Sequence, residues 1–105
     1  MSQDEEAPEV LPDEPGRYFV MDEGTPLVEV ARLRVARTDP ERVAKAARAM
    51  WAAYRGLGPK REPIEVTELG DGTCSVESGR STCAVAARSG WRKVPVRVVG
   101  SGSRP

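Results

Sequence analysis

The sequence contains no histidine. That excludes a histidine-based catalytic triad and the usual mixed cysteine–histidine zinc sites. The only cysteines, Cys74 and Cys83, lack metal-ligand spacing. A disulfide between them is open to the chain, but a cytosolic setting disfavours it. Aromatic residues make up 5% of the chain, and no basic stretch is interleaved with them as a base-stacking surface requires. No apolar run approaches the roughly 20 residues that cross a bilayer. The acidic start is followed by no apolar segment and does not read as a secretory leader. These absences predict a cytoplasmic chain with no membrane partner.

What remains is ordinary for a soluble domain: 39% hydrophobic and 30% charged residues in a chain of 105. That length predicts one small domain. The formal net charge of zero conceals a split. Residues 1–26 hold eight acidic side chains against Arg17 alone, and the rest of the chain carries the matching positive excess. A basic body with an acidic lead suits an anionic partner, with the lead as a competitor for the same face. The plainer alternative is a solubilising end.

Residues 1–16 are acidic and carry Pro8, Pro12 and Pro15; they are predicted to be a disordered tail. Residues 17–99 form the predicted domain, and residues 100–105 a flexible C-terminal tail. Tyr18–Met21 reads as an edge strand or a flap. Residues 27–35 are rich in β-branched residues and predict a first strand. Asp39-Pro40-Glu41 starts a helix, with a cap, a proline at the first helical position and an acid beside the positive end. Val43, Ala47, Met50, Trp51 and Tyr54 give it an apolar stripe. Gly56, Gly58 and Pro59 stop it. Residues 63–69 and 73–77 read as two strands joined by Gly70-Asp71-Gly72. Trp91 after the second helix reads as a lid on the core. The last strand falls at 94–99.

Between those last strands lies Gly79-Arg80-Ser81-Thr82-Cys83-Ala84-Val85-Ala86-Ala87-Arg88-Ser89-Gly90. It predicts a glycine turn, a short helix capped by Ser81 or Thr82, and a glycine stop. A strand–glycine–helix junction leaves amides facing outward at the positive end of the helix dipole, where an anion is favoured. Gly79, Arg80, Ser81 and Thr82 are therefore the candidate phosphate- or nucleotide-binding residues. The plainer alternative is a cap and a solvated arginine. Cys83 reads as a buried small apolar residue. The order is β-α-β-β-α-β, an α+β (α/β) class with helices on a small mixed sheet.

Pro63-Ile64-Glu65-Val66, Asp71-Gly72, Gly79-Arg80, Ala84-Val85-Ala86, Gly90 and Val94-Pro95-Val96-Arg97-Val98 together resemble the pattern of the ParB/sulfiredoxin superfamily. The resemblance covers about residues 27–99. It implies a compact ParB-like domain holding a nucleotide at the glycine turn, with a nucleoside triphosphate and Mg²⁺ as the implied ligand. Ser81 and Thr82 would meet the phosphate-bound Mg²⁺; Glu77 is the nearest carboxylate in sequence, Glu29 and Glu65 the remoter ones. The chain departs from the family at the turn, where Ser81 and Thr82 replace an arginine-rich or His-Arg segment. The sulfiredoxin cysteine position is Arg80, so the likeness does not extend to reductase chemistry. No helix-turn-helix or dimerisation region follows, so a complete partition protein is not expected. Two alternatives stand beside nucleotide binding. One is DNA or RNA binding through Arg32, Arg34, Arg37, Arg42, Lys45, Arg48, Lys60, Arg61, Arg92, Lys93 and Arg97. The other is a protein-interaction module of a phage or mobile element.

Overall fold

A computed structural model of the chain describes residues 7–101. The chain begins with a short helix, α1 (Pro15–Tyr18), followed by β1 (Leu27–Glu29), a 3-10 turn (Val30–Arg32) and β2 (Leu33–Arg34). Helix α2 (Pro40–Tyr54) precedes the hairpin of β3 (Ile64–Glu68) and β4 (Cys74–Ser78). Helix α3 (Arg80–Arg88) then leads into β5 (Lys93–Ser101). The strands form one mixed sheet in the order β1-β5-β3-β4-β2. β3 and β4 are antiparallel, β3 and β5 parallel, and the edge strands β1 and β2 run antiparallel to β5 and parallel to β4. The α+β class and the mixed sheet are as the residue pattern predicts.

The predicted first strand is cut in two. Its halves pair with opposite edges of the sheet, β1 with β5 and β2 with β4. A continuous strand could not serve both edges. Only the 3-10 residues Val30–Arg32 lie between them, a span of about 6 Å at 3-10 rise. The sheet must therefore curl until its two edges nearly meet.

Helix α2 starts as its sequence dictates: the Asp39 carboxylate accepts from the Glu41 amide at 2.9 Å, with Pro40 opening the helix. Its buried residues are Ala46, Ala47, Met50 and Ala53, with Val43, Trp51 and Tyr54 packed partly buried against the core. The expected stripe is thus shifted towards the alanines. These small side chains let α2 lie close to α3, which buries Thr82, Cys83, Val85 and Ala86. Ile64, Val66, Val76, Val94 and Val96 fill the core from the sheet. Burying a side chain of that size stabilises by about 1.5–3 kcal/mol.

The lead-in segment departs from expectation. Residues 7–16 do not stand apart from the domain, because Leu11 is 1% exposed and belongs to the core cluster. Trp91 Nε1 donates to the Leu11 carbonyl at 2.9 Å, and the Leu11 amide donates to Ser89 Oγ at 3.0 Å. Tyr18 donates to the Pro12 carbonyl at 2.7 Å and packs tilted against Trp91 at 4.8 Å. Trp91 is thus the expected lid, and Leu11 closes over it. The disordered tail predicted for 1–16 is corrected for 7–16; residues 1–6 lie outside the described residues. At the other end β5 runs to Ser101, paired with Glu68, so the tail predicted from residue 100 does not begin there. Residues 102–105 lie outside the described residues. Phe19 is buried and bridges Arg61 rather than forming a full edge strand.

Candidate functional site

β4 ends at Ser78, and Gly79 turns the chain with φ +93°, a left-handed conformation that glycine adopts without penalty. Gly79 also sits close under β3. A Cβ there would lie 3.3 Å from Ile64 Cγ1. Helix α3 begins at the next residue, and no side chain caps it. The expected cap by Ser81 or Thr82 is corrected. Both residues lie inside the first turn, past the position from which a hydroxyl can reach back to the helix's own amides. The Cys83 amide bonds the Gly79 carbonyl at 2.9 Å. The amides of Arg80, Ser81 and Thr82 lie before that first intrahelical bond and have none within the helix.

Thr82 is 3% exposed and is the only buried polar residue among the described residues. No described residue provides its hydroxyl with a hydrogen bond. Buried hydroxyls without partners are uncommon in folded proteins. Thr82 lines two adjoining cavities. The smaller, of about 320 Å³, is formed by Arg42, Arg61, Glu77, Ser78 and the run Gly79–Thr82. The larger, of about 530 Å³, shares Arg61, Ser78, Gly79 and Thr82 and extends past Ala49 and Ala52 to Glu62, Glu65 and Arg97.

The structure brings together all four predicted residues and adds Arg42 and Arg61. Arg42 comes from the first turn of α2. Arg61 comes from the loop before β3, held by its backbone: its amide donates to the Tyr18 carbonyl and its carbonyl accepts from the Val20 amide, both at 2.8 Å. Neither arginine, nor Arg80, forms an ion pair with a described carboxylate. Both had appeared in sequence only as members of a scattered basic set. Their approach to the turn is a long-range contact with no local signature.

The candidate carboxylates separate. Glu77 lines the smaller cavity. Glu65 is bound to Arg97 at 3.3 Å, and Glu62 shares the same guanidinium at 3.1 Å. Glu29 lies 3.6 Å from Arg32. Among the described residues no group of three or more acidic or cysteine side chains is placed to hold a metal ion. A Mg²⁺ carried in by phosphates fits less demanding terms, since it keeps several waters and takes one or two protein carboxylates. Glu77 and Ser81 are the residues present for it. The basic set is thinned by pairing: Arg32, Arg34 and Arg97 all face acidic partners, which weakens the case for a continuous nucleic-acid track.

The cysteines are free and buried. Burial pushes the Cys83 thiol up to about 11 and raises Cys74 as well, so neither is poised as a thiolate nucleophile. No helix among the described residues is long and apolar enough to cross a membrane. No family model, curated protein or solved structure matches the chain.

Proposed function

We propose that this protein binds a phosphate-bearing ligand, a nucleotide or another phosphate compound, at the Gly79–Thr82 turn. One observation carries the reading. The uncapped start of α3, the unpartnered Thr82 hydroxyl and the guanidinium groups of Arg42, Arg61 and Arg80 line one cavity. Amides at a helix start favour an anion through both hydrogen bonding and the dipole. Guanidinium groups add charge-assisted and bidentate bonds to phosphate oxygens. The likeness to the ParB/sulfiredoxin pattern supports the same location.

The test is a titration of the labelled protein with inorganic phosphate, pyrophosphate and nucleoside triphosphates, each with and without Mg²⁺. Amide shifts confined to Gly79–Ala84 and abolished in an Arg42→Ala/Arg61→Ala variant are the expected result. No shift at millimolar concentrations of all these ligands would refute the reading.

A further inference from the structure

A second surface lies along α2, next to the larger cavity beside the turn. Lys45, Arg48, Ala49, Trp51, Ala52 and Leu57 line an open groove of about 500 Å³ along α2 and the loop after it. Lys45, Arg48, Ala52 and Arg55 follow one another at spacings of three and four, which places them on one side of the helix. Ala49 and Ala52 are small and allow a neighbouring backbone to approach closely. Leu57 is 68% exposed, a large apolar side chain held at the helix end by its amide bond to the Ala52 carbonyl at 2.8 Å. No acidic residue lines the groove, and neither Lys45 nor Arg48 forms an ion pair with a described residue.

We propose that this groove docks an acidic amphipathic helix of a partner protein. A floor of small apolar residues, an apolar knob at one end and flanking cations complement a helix with an apolar seam and glutamates beside it. A nucleic-acid strand fits less well. Trp51 already stacks on Tyr54, with rings 5.3 Å apart and 10° from parallel, and the Arg55 guanidinium sits 6.0 Å from its centroid. That ring is poorly placed to take a base, and base stacking is what holds single strands on a basic groove. Ala49 and Ala52 also border the larger cavity beside the turn, so a docked helix forms part of that cavity's rim.

The experiment follows amide shifts in the full chain on adding a synthetic peptide of about 18 residues with leucine and glutamate at helical spacing. Shifts over residues 45–57 are expected, with salt-dependent affinity. Lys45→Glu/Arg48→Glu, both on exposed positions, is expected to weaken binding at least about tenfold while the circular dichroism stays unchanged. Leu57→Ser should weaken it independently. Four results would each overturn the proposal: no shift at millimolar peptide; equal affinity in the charge-reversed variant; tighter binding of oligo-dT at the same amides; or movement of those amides on deleting residues 1–6 without peptide. The last would make the chain's own acidic segment the occupant.

Discussion

Replacing Gly79 by alanine tests the geometry on which the proposed phosphate site depends, and Gly72 supplies an internal control. Both glycines hold left-handed backbones, at φ +93° and +90°. An L-residue in that region costs roughly 1–2 kcal/mol. At Gly72 a new Cβ meets nothing within 4 Å, so Gly72→Ala should show the backbone cost alone. At Gly79 it lies 3.3 Å from Ile64 Cγ1 and 3.5 Å from Ile64 Cα. Ile64 cannot withdraw, because it is buried and paired with Val96. Overpacking of that kind adds about 1–3 kcal/mol. Gly79→Ala should therefore cost about 2–5 kcal/mol in total. Urea unfolding followed by far-ultraviolet circular dichroism, extrapolated linearly, measures both variants. The extra loss at Gly79 should also appear as a melting temperature lower by about 4–24 °C than that of Gly72→Ala, at roughly 4–8 °C per kcal/mol. Equal destabilisation of the two would refute the close approach of the turn to β3. A costless Gly79→Ala would refute the left-handed turn itself.

Leu11→Ala should destabilise by about 2–5 kcal/mol, the range for truncating a buried leucine; a change under half a kcal/mol in the same unfolding assay would show that the lead-in contributes nothing. Thr82→Val keeps the buried volume and removes the hydroxyl, so stability should hold or rise slightly while phosphate affinity, read by titration calorimetry, falls about threefold or more. The Cys83 thiol has its folded value raised from 9.0 to about 11. A neutral buried thiol therefore contributes its stability fully below pH 9 and loses it as pH rises through about 11, and a disulfide reagent should label Cys83 at neutral pH only as fast as the protein opens. Labelling faster than amide exchange of the core would contradict this. Burial, with the neighbouring Tyr54 second, also raises the Tyr18 hydroxyl, so its absorbance titration should lag that of a free tyrosine and coincide with alkaline unfolding.

Legibility followed the range of the interactions. Helix α2 was readable because Asp39, Pro40 and Glu41 act within one turn. The hairpin was readable because its turn glycines sit between alternating strands; the Asp71 carboxylate in that turn accepts from the Thr73 amide and hydroxyl, which holds it below the usual carboxylate range. The break at Val30–Arg32 was not, since nothing local marks it; the need to serve two sheet edges imposes it. The burial of Leu11 was hidden for a related reason. Composition averages an acidic, proline-bearing segment, whereas a single leucine finds its place against Trp91, eighty positions away in sequence. At the turn, Gly79–Thr82 was identified from spacing, but the missing cap, the buried hydroxyl and the arrival of Arg42 and Arg61 belong to tertiary packing.

The clasp at the amino end bears on how the protein is handled at the bench. An expression clone begun at Tyr18, trimmed because the preceding residues look dispensable, would strip Leu11 from the indole and leave Tyr18 without its carbonyl acceptor. Glu14, which accepts from the Tyr54 hydroxyl at 2.9 Å, would go as well. The shortened product would present a wet aromatic face and should self-associate on concentration.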